Sequence, residues 1–239
     1  KDIPRAIITS GLLITVFYLL GTVGMLMALP LEELGLVEGM IDTLRILIGS
    51  TGFAGVVVTI LGVAALYSFL ANMVTWTMGA NRTAAEAASD GELPKTFGKL
   101  HPVNKTPTSA FVITGIVSSV VIILYGFMAG NAEDLFWTLF AFSSMVFLLP
   151  YLILFPAFLK LRKIDPDRIR PYRVPGGGVV AKIFVGLCML FIIQAIVFFV
   201  WVPGEPIDWA YAAPVLLGVG ITIIVGEILL KIAQAHKKN

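Results

Sequence analysis

The chain of 239 residues has one cysteine, Cys188, two histidines and few charges: Asp, Glu, Lys and Arg make up 13% of it. One thiol allows neither an intrachain disulfide framework nor a cysteine-based metal cluster. His101 sits in a polar loop between Leu100 and Pro102, and His236 sits in the tail. Neither has neighbours that would complete a metal site. Soluble domains carry about 25% charged residues. A chain that is 58% hydrophobic could not cover its surface in water. Enzyme signatures are missing as well: there is no Gly-x-Ser-x-Gly, no His-Glu-x-x-His and no Gly-Lys-Ser/Thr phosphate loop. Gly176, Gly177 and Gly178 form a glycine-rich stretch but follow no strand pattern, which argues against a phosphate cradle. No catalytic residue, metal or cofactor is expected. An integral membrane enzyme is disfavoured, because no acid, base or metal constellation lies inside the apolar runs.

What the chain has instead is long apolar runs. A hydrocarbon core of about 30 Å takes about 20 helical residues. Six runs meet that length, at residues 6–29, 53–78, 108–128, 135–159, 183–202 and 209–230. The expected fold is therefore all-α and integral to the membrane, with six transmembrane helices in a single membrane domain over residues 1–239. Residues 31–49 differ. Glu32, Glu33, Glu38, Asp42 and Arg45 alternate there with Leu34, Val37, Ile41, Leu44 and Ile48 at spacings of three and four, the pattern of an amphipathic helix lying at the interface. Asp90-Gly91 is a helix stop after the small-residue stretch that follows the second run. The opening Lys1-Asp2-Ile3-Pro4-Arg5 reads as a loop feeding a helix, so a preceding N-terminal portion is expected.

The charges that remain are segregated. With six spans, the N-terminus, the second and fourth connections and the tail lie on one side, and they hold every one of the 17 basic residues except Arg45. Glu32, Glu33, Glu38, Asp42, Glu133, Asp134, Glu205 and Asp208 lie on the other. Positive loops stay in the cytoplasm, so both termini are expected there, in a multi-pass protein of the plasma (inner) membrane. The basic connection at 160–182 could suggest nucleic acid. Its proline and glycine punctuation between two spans makes it a cytoplasmic loop beside anionic lipid instead. The glycosylation triplets Asn81-Arg82-Thr83 and Asn104-Lys105-Thr106 fall on that same side and are discounted.

Polar residues inside the runs are the candidate site. Asn72 and Trp76 stand one helical turn apart on a shared face, near the far end of the second run. Hydrocarbon offers an amide and an indole N–H no partner. They read either as an interfacial helix end with a belt tryptophan or as a polar substrate site in a bundle. Ser143 and Ser144, in the fourth run with Pro150, Tyr151 and Pro156, read either as small residues for helix packing or as part of that site.

Several stretches resemble a known family. Trp76-Thr77, Gly79, the small residues to Asp90-Gly91, Leu93-Pro94 and Pro107 are similar to the eighth helix and following loop of the amino acid–polyamine–organocation transporters. Lys1–Ile7 resembles the loop into their seventh helix, Pro150-Tyr151 their tenth, and Pro171 to Gly177 the loop before their eleventh. The stretch from Trp76 to Arg82 is most similar to the glutamate/GABA antiporter branch. The resemblance covers the whole chain in motif order. It implies the last six helices of a twelve-helix transporter with a five-plus-five inverted repeat, which would bind a small amino acid or amine at mid-membrane by alternating access. Helices one and six, which hold the substrate's amino and carboxylate groups in the family, have no counterpart. The chain is thus expected to need the missing N-terminal half and not to transport alone. Trp76 falls on the family's pocket-walling aromatic, and Ser143 near a side-chain contact. Asn72 stands where some antiporters have an acid, which puts an acidic-substrate preference and proton linkage there in doubt. The alternative is a non-transporting scaffold or truncated relative in which these residues only pack helices.

The charge pattern carries a prediction about sidedness. In intact cells and a Cys188→Ser background, a membrane-impermeant thiol reagent should label Asp134→Cys and leave Thr106→Cys protected. Labelling of position 106 with 134 protected would invert the topology.

Overall fold

The computed structural model describes residues 2–29, 39–170 and 172–238, the side chains of 236–238 excepted. Among these residues the chain is all-helical: α1 (Asp2–Ala28), α2 (Gly39–Ile48), α3 (Gly52–Ser89), a 3-10 turn (Lys95–Gly98), α4 (Thr108–Met128), α5 (Ala132–Ile164), α6 (Gly177–Phe198) and α7 (Trp209–Lys238). All but α2 of the α-helices are long and apolar enough to cross a membrane, which makes six. The expected limits of the third span match α4. Elsewhere the helices outrun the apolar stretches. Residues 2–5 are helical rather than a loop, and α3 continues eleven residues past 78 through Ser89. Helix propensity does not stop where hydrophobicity does, and the stretch from Thr83 to Ser89 is rich in alanine. α6 begins six residues earlier than the run at 183, because Gly176 takes a left-handed φ of 86° and turns the chain into the helix. Of the expected interfacial helix, residues 39–48 are helical, with Arg45 paired to Asp42 at 3.1 Å. Residues 31–38 lie outside the described residues, as do Pro30 and Pro171.

The chain divides into two compact units, residues 1–76 and 77–239. In the first, α2 packs on α1, and Leu29, Thr43 and Val58 are buried. No residue of α1 itself is buried. In the second, α5 packs against α6 and α7 around Ala141, Met145, Val215 and Val219, with Phe142, Leu149, Ile196 and Phe199 against them. Large apolar side chains such as Phe17, Phe53 and Phe127 face outward, as a helix requires where the solvent is lipid.

The helix ends are built from the sequence. Gly91, with φ 78°, closes α3: its N–H donates to the Ala88 carbonyl and the Glu92 N–H to that of Ala87, a Schellman arrangement. Asn131 caps α5, its side chain accepting from the Asp134 N–H and donating to the Asp134 carboxylate, both at 2.9 Å. The Arg170 guanidinium donates to the carbonyls of Leu161, Asp165 and Arg168 and so closes the far end of α5. Glu227 and Lys231, spaced for an i,i+4 pair, are not within ion-pair distance, whereas Arg45 and Asp42 are.

One contact ties α4 to α7. The Tyr125 hydroxyl donates to the Pro214 carbonyl at 3.0 Å. It can reach that carbonyl because Gly218, one turn on, has no side chain. A Cβ there would collide with the Tyr125 oxygen and come within 3.0 Å of the Phe142 ring. Gly218→Ala should therefore destabilise by about 1–3 kcal/mol through overpacking, seen as a lower thermal midpoint in detergent. Adding Tyr125→Phe should recover part of that loss. Equal losses in both backgrounds would remove the hydroxyl from the explanation.

Candidate functional site

α3 carries Asn72 and Trp76 as its apolar run ends. Both are exposed, Trp76 at 65%, one turn apart on one helix. Between them the Thr75 hydroxyl donates to the Ala71 carbonyl at 2.9 Å. Its hydrogen bond is thereby made locally, whatever surrounds the helix. These residues close the first unit.

Ser143 and Ser144 lie on α5 in the second unit. Ser143 is exposed and donates back to the Phe140 carbonyl at 3.2 Å; Ser144 is half-buried. Tyr151 sits between Phe147 and Phe155, with ring centroids 5.9 and 6.0 Å away. The two candidate pairs thus belong to different units, and each is fixed by its own helix.

The polar residue most deeply held is one that sequence reasoning treated only as a glycosylation triplet. Asn81 is fully buried. Its Nδ2 donates to the Thr77 carbonyl at 2.8 Å, and its Oδ1 accepts from the Thr114 hydroxyl at 2.7 Å. The first bond is an i−4 contact within α3; the second crosses to α4. A fully buried amide side chain cannot take a glycan. A signal was present, since Asn81 follows Thr77 by one turn. Its partner on α4 follows no local spacing.

His101 organises the polar loop after the 3-10 turn. Its Nδ1 accepts from the backbone N–H groups of Val103 and Asn104 at 3.3 and 3.1 Å, and the His101 backbone N–H donates to the Thr106 carbonyl at 2.7 Å. Among the described residues no group of His, Cys, Asp and Glu could hold a metal. Chemically, then, the arrangement offers neutral hydrogen bonding and aromatic surface, with no nucleophile–base pair in the candidate positions.

Comparison with known proteins adds the family. Residues 1–225 match the family described as amino acid permease. A protein named as a probable agmatine/putrescine antiporter, AguD, from Lactococcus lactis subsp. lactis (strain IL1403) is 31% identical over 236 residues, 97% of this chain and 49% of its own. The glutamate/gamma-aminobutyrate antiporter of the same strain is 25% identical over 208 residues, 87% of this chain and 41% of its own. The branched-chain amino acid permease BcaP of Bacillus subtilis (strain 168) is 25% identical over 194 residues, 81% of this chain and 39% of its own. The chain spans about half the length, or less, of these relatives. No solved structure matches it.

The buried amide and the exposed one should respond differently to mutation. Asn81→Ala strands the Thr114 hydroxyl and should destabilise by about 1–3 kcal/mol. Asn72→Ala, on an exposed face, should stay within about 0.5 kcal/mol. Thermal unfolding in detergent compares them, and equal losses would deny Asn81 its clamping role.

Proposed function

The chain belongs to the amino acid permease family, and from that premise we propose that it is the C-terminal portion of a secondary active amino acid permease or antiporter. Family and relatives are transporters, not enzymes, and with six membrane-length helices the chain is a multi-pass membrane protein that handles small molecules. The finer reading is that it supplies helices seven to twelve of a twelve-helix inverted-repeat bundle, with both termini cytoplasmic in the plasma membrane. Substrate would bind at mid-membrane and be exposed to each side in turn. The observation that carries this reading is the family match over residues 1–225 in a chain spanning about half its relatives' length.

The residues we assign to substrate contact are Trp76 and Asn72 on α3 and, separately in the second unit, Ser143 and Ser144 on α5. The indole gives a rigid apolar wall and one N–H donor, suited to the aliphatic stem of a small zwitterion. Asn72 can donate or accept without adding charge. A charge at that depth is costly unless paired, so a neutral amide suits a neutral or mildly polar amino acid better than a polyamine. The relatives' names include amino acids, gamma-aminobutyrate, agmatine and putrescine. We propose a neutral or mildly polar amino acid, or exchange of an amino acid for its amine product, as what is carried; two of the relatives are named as antiporters.

The test uses the transporter completed by its N-terminal helices. Trp76→Ala should weaken substrate affinity by about 2 kcal/mol, roughly thirtyfold. Trp209→Ala, at the first residue of α7, should leave affinity nearly unchanged. Affinities are measured on protein that elutes as a single folded species in gel filtration. If the two variants behave alike, Trp76 is a belt residue and the scaffold reading takes over.

A further inference from the structure

The second unit contains a cavity of about 720 Å³ at the end where α4 finishes, α5 begins, and α6 connects to α7. Its size is that of a small-ligand pocket. Trp137, Trp201 and Tyr211 are among the aromatic residues that line it, and Asp134, Glu205 and Asp208 supply carboxylates. No lysine, arginine or histidine lines it, and none of the three carboxylates is in an ion pair among the described residues.

The local backbone holds this lining in place. Asp134 is fixed in the first turn of α5 by Asn131. Asp208 accepts the Ala210 N–H at 2.9 Å at the start of α7. The Trp201 indole donates to the Glu205 carbonyl at 3.0 Å, which places ring and acid on the same short connection. Trp137 packs edge-on to Phe140, and Phe140 edge-on to Phe199, with centroids 6.0 and 5.9 Å apart. Asp134 and Asp208 have a structural use as caps. The Glu205 side chain has no hydrogen bond or ion pair among the described residues, so helix capping does not explain the whole set.

Aromatic faces attract cations through the ring quadrupole. Carboxylates in a cleft with low-dielectric walls focus a negative potential into it and raise the local concentration of positive ligands. A zwitterion's carboxylate would be repelled, whereas an alkylammonium or guanidinium is favoured by every charged group present. We propose that this cavity is an accessory vestibule that binds small organic cations of the alkylammonium or guanidinium class. The proposal deepens the transport reading and rests on it: a neutral site at Asn72 offers an amine no counter-charge, and the vestibule offers one at the membrane face. On the charge topology that face is the outer one.

The complete transporter in nanodiscs is titrated with agmatine, which carries both cationic groups, at low and high salt. Glu205→Gln and Trp137→Leu should each weaken binding roughly fivefold. Glu205→Gln should also flatten the salt dependence. Glu133→Gln, a neighbouring acid outside the lining, should change neither. Each variant must first elute as a single folded species in gel filtration. Agmatine affinity and salt dependence equal to the parent in both lining variants would overturn the vestibule, as would an equal effect of Glu133→Gln. Uptake of a panel of neutral amino acids and amines, agmatine included, into proteoliposomes separates the two readings. Uptake by the parent with indifferent lining variants sinks the vestibule alone. Impaired agmatine binding in the lining variants, in a parent that shows no uptake, supports the vestibule and sinks the transport reading.

Discussion

Hydrocarbon provides no hydrogen bonds, and every polar group placed in it must be satisfied by the protein itself. That constraint selects the helix for each long run, because a helix closes its own backbone. It also explains the recurrent side-chain habit. The hydroxyls of Thr15, Thr59, Thr75, Ser119, Thr138 and Thr222 each donate to the carbonyl four residues earlier. A hydroxyl satisfied in this way can face lipid. Where a polar group instead reaches another helix, it becomes a structural joint. Asn81 with Thr114 joins α3 to α4, and Tyr125 with the Pro214 carbonyl joins α4 to α7.

Much of this was legible from residue type alone. Length and hydropathy identified all six crossings, since the demand for about 20 apolar residues is local. Asp90-Gly91 announced its turn, because only a residue tolerant of positive φ closes a helix in that manner. The start of α6 was less legible. Its glycine-rich flank reads as a turn, yet Gly177 and Gly178 already belong to the helix. The partners of Asn81 and Tyr125 were not legible. Contacts 33 and 89 residues apart follow no periodicity.

The candidate site was legible unevenly. Asn72 and Trp76 stood out because an amide and an indole N–H inside an apolar run need partners that hydrocarbon does not offer, and their one-turn spacing survives in α3. The aromatic and acidic lining between α4 and α7 gave no such signal. Its members are scattered through helix starts and a connection, where Trp and Asp are ordinary. Only the fold gathers them.

The notch at Gly218 has a mechanical consequence. The Tyr125 hydroxyl occupies space that only a residue without a side chain leaves open, so it acts as a detent between α4 and α7. Sliding α7 by one turn, about 5.4 Å along its axis, would bring Pro214 or Thr222 to the hydroxyl in place of the glycine. Axial slippage between these two helices is therefore opposed in both directions. A rocking motion that shears α4 against α7 would first have to break this bond and lift the hydroxyl out of the notch.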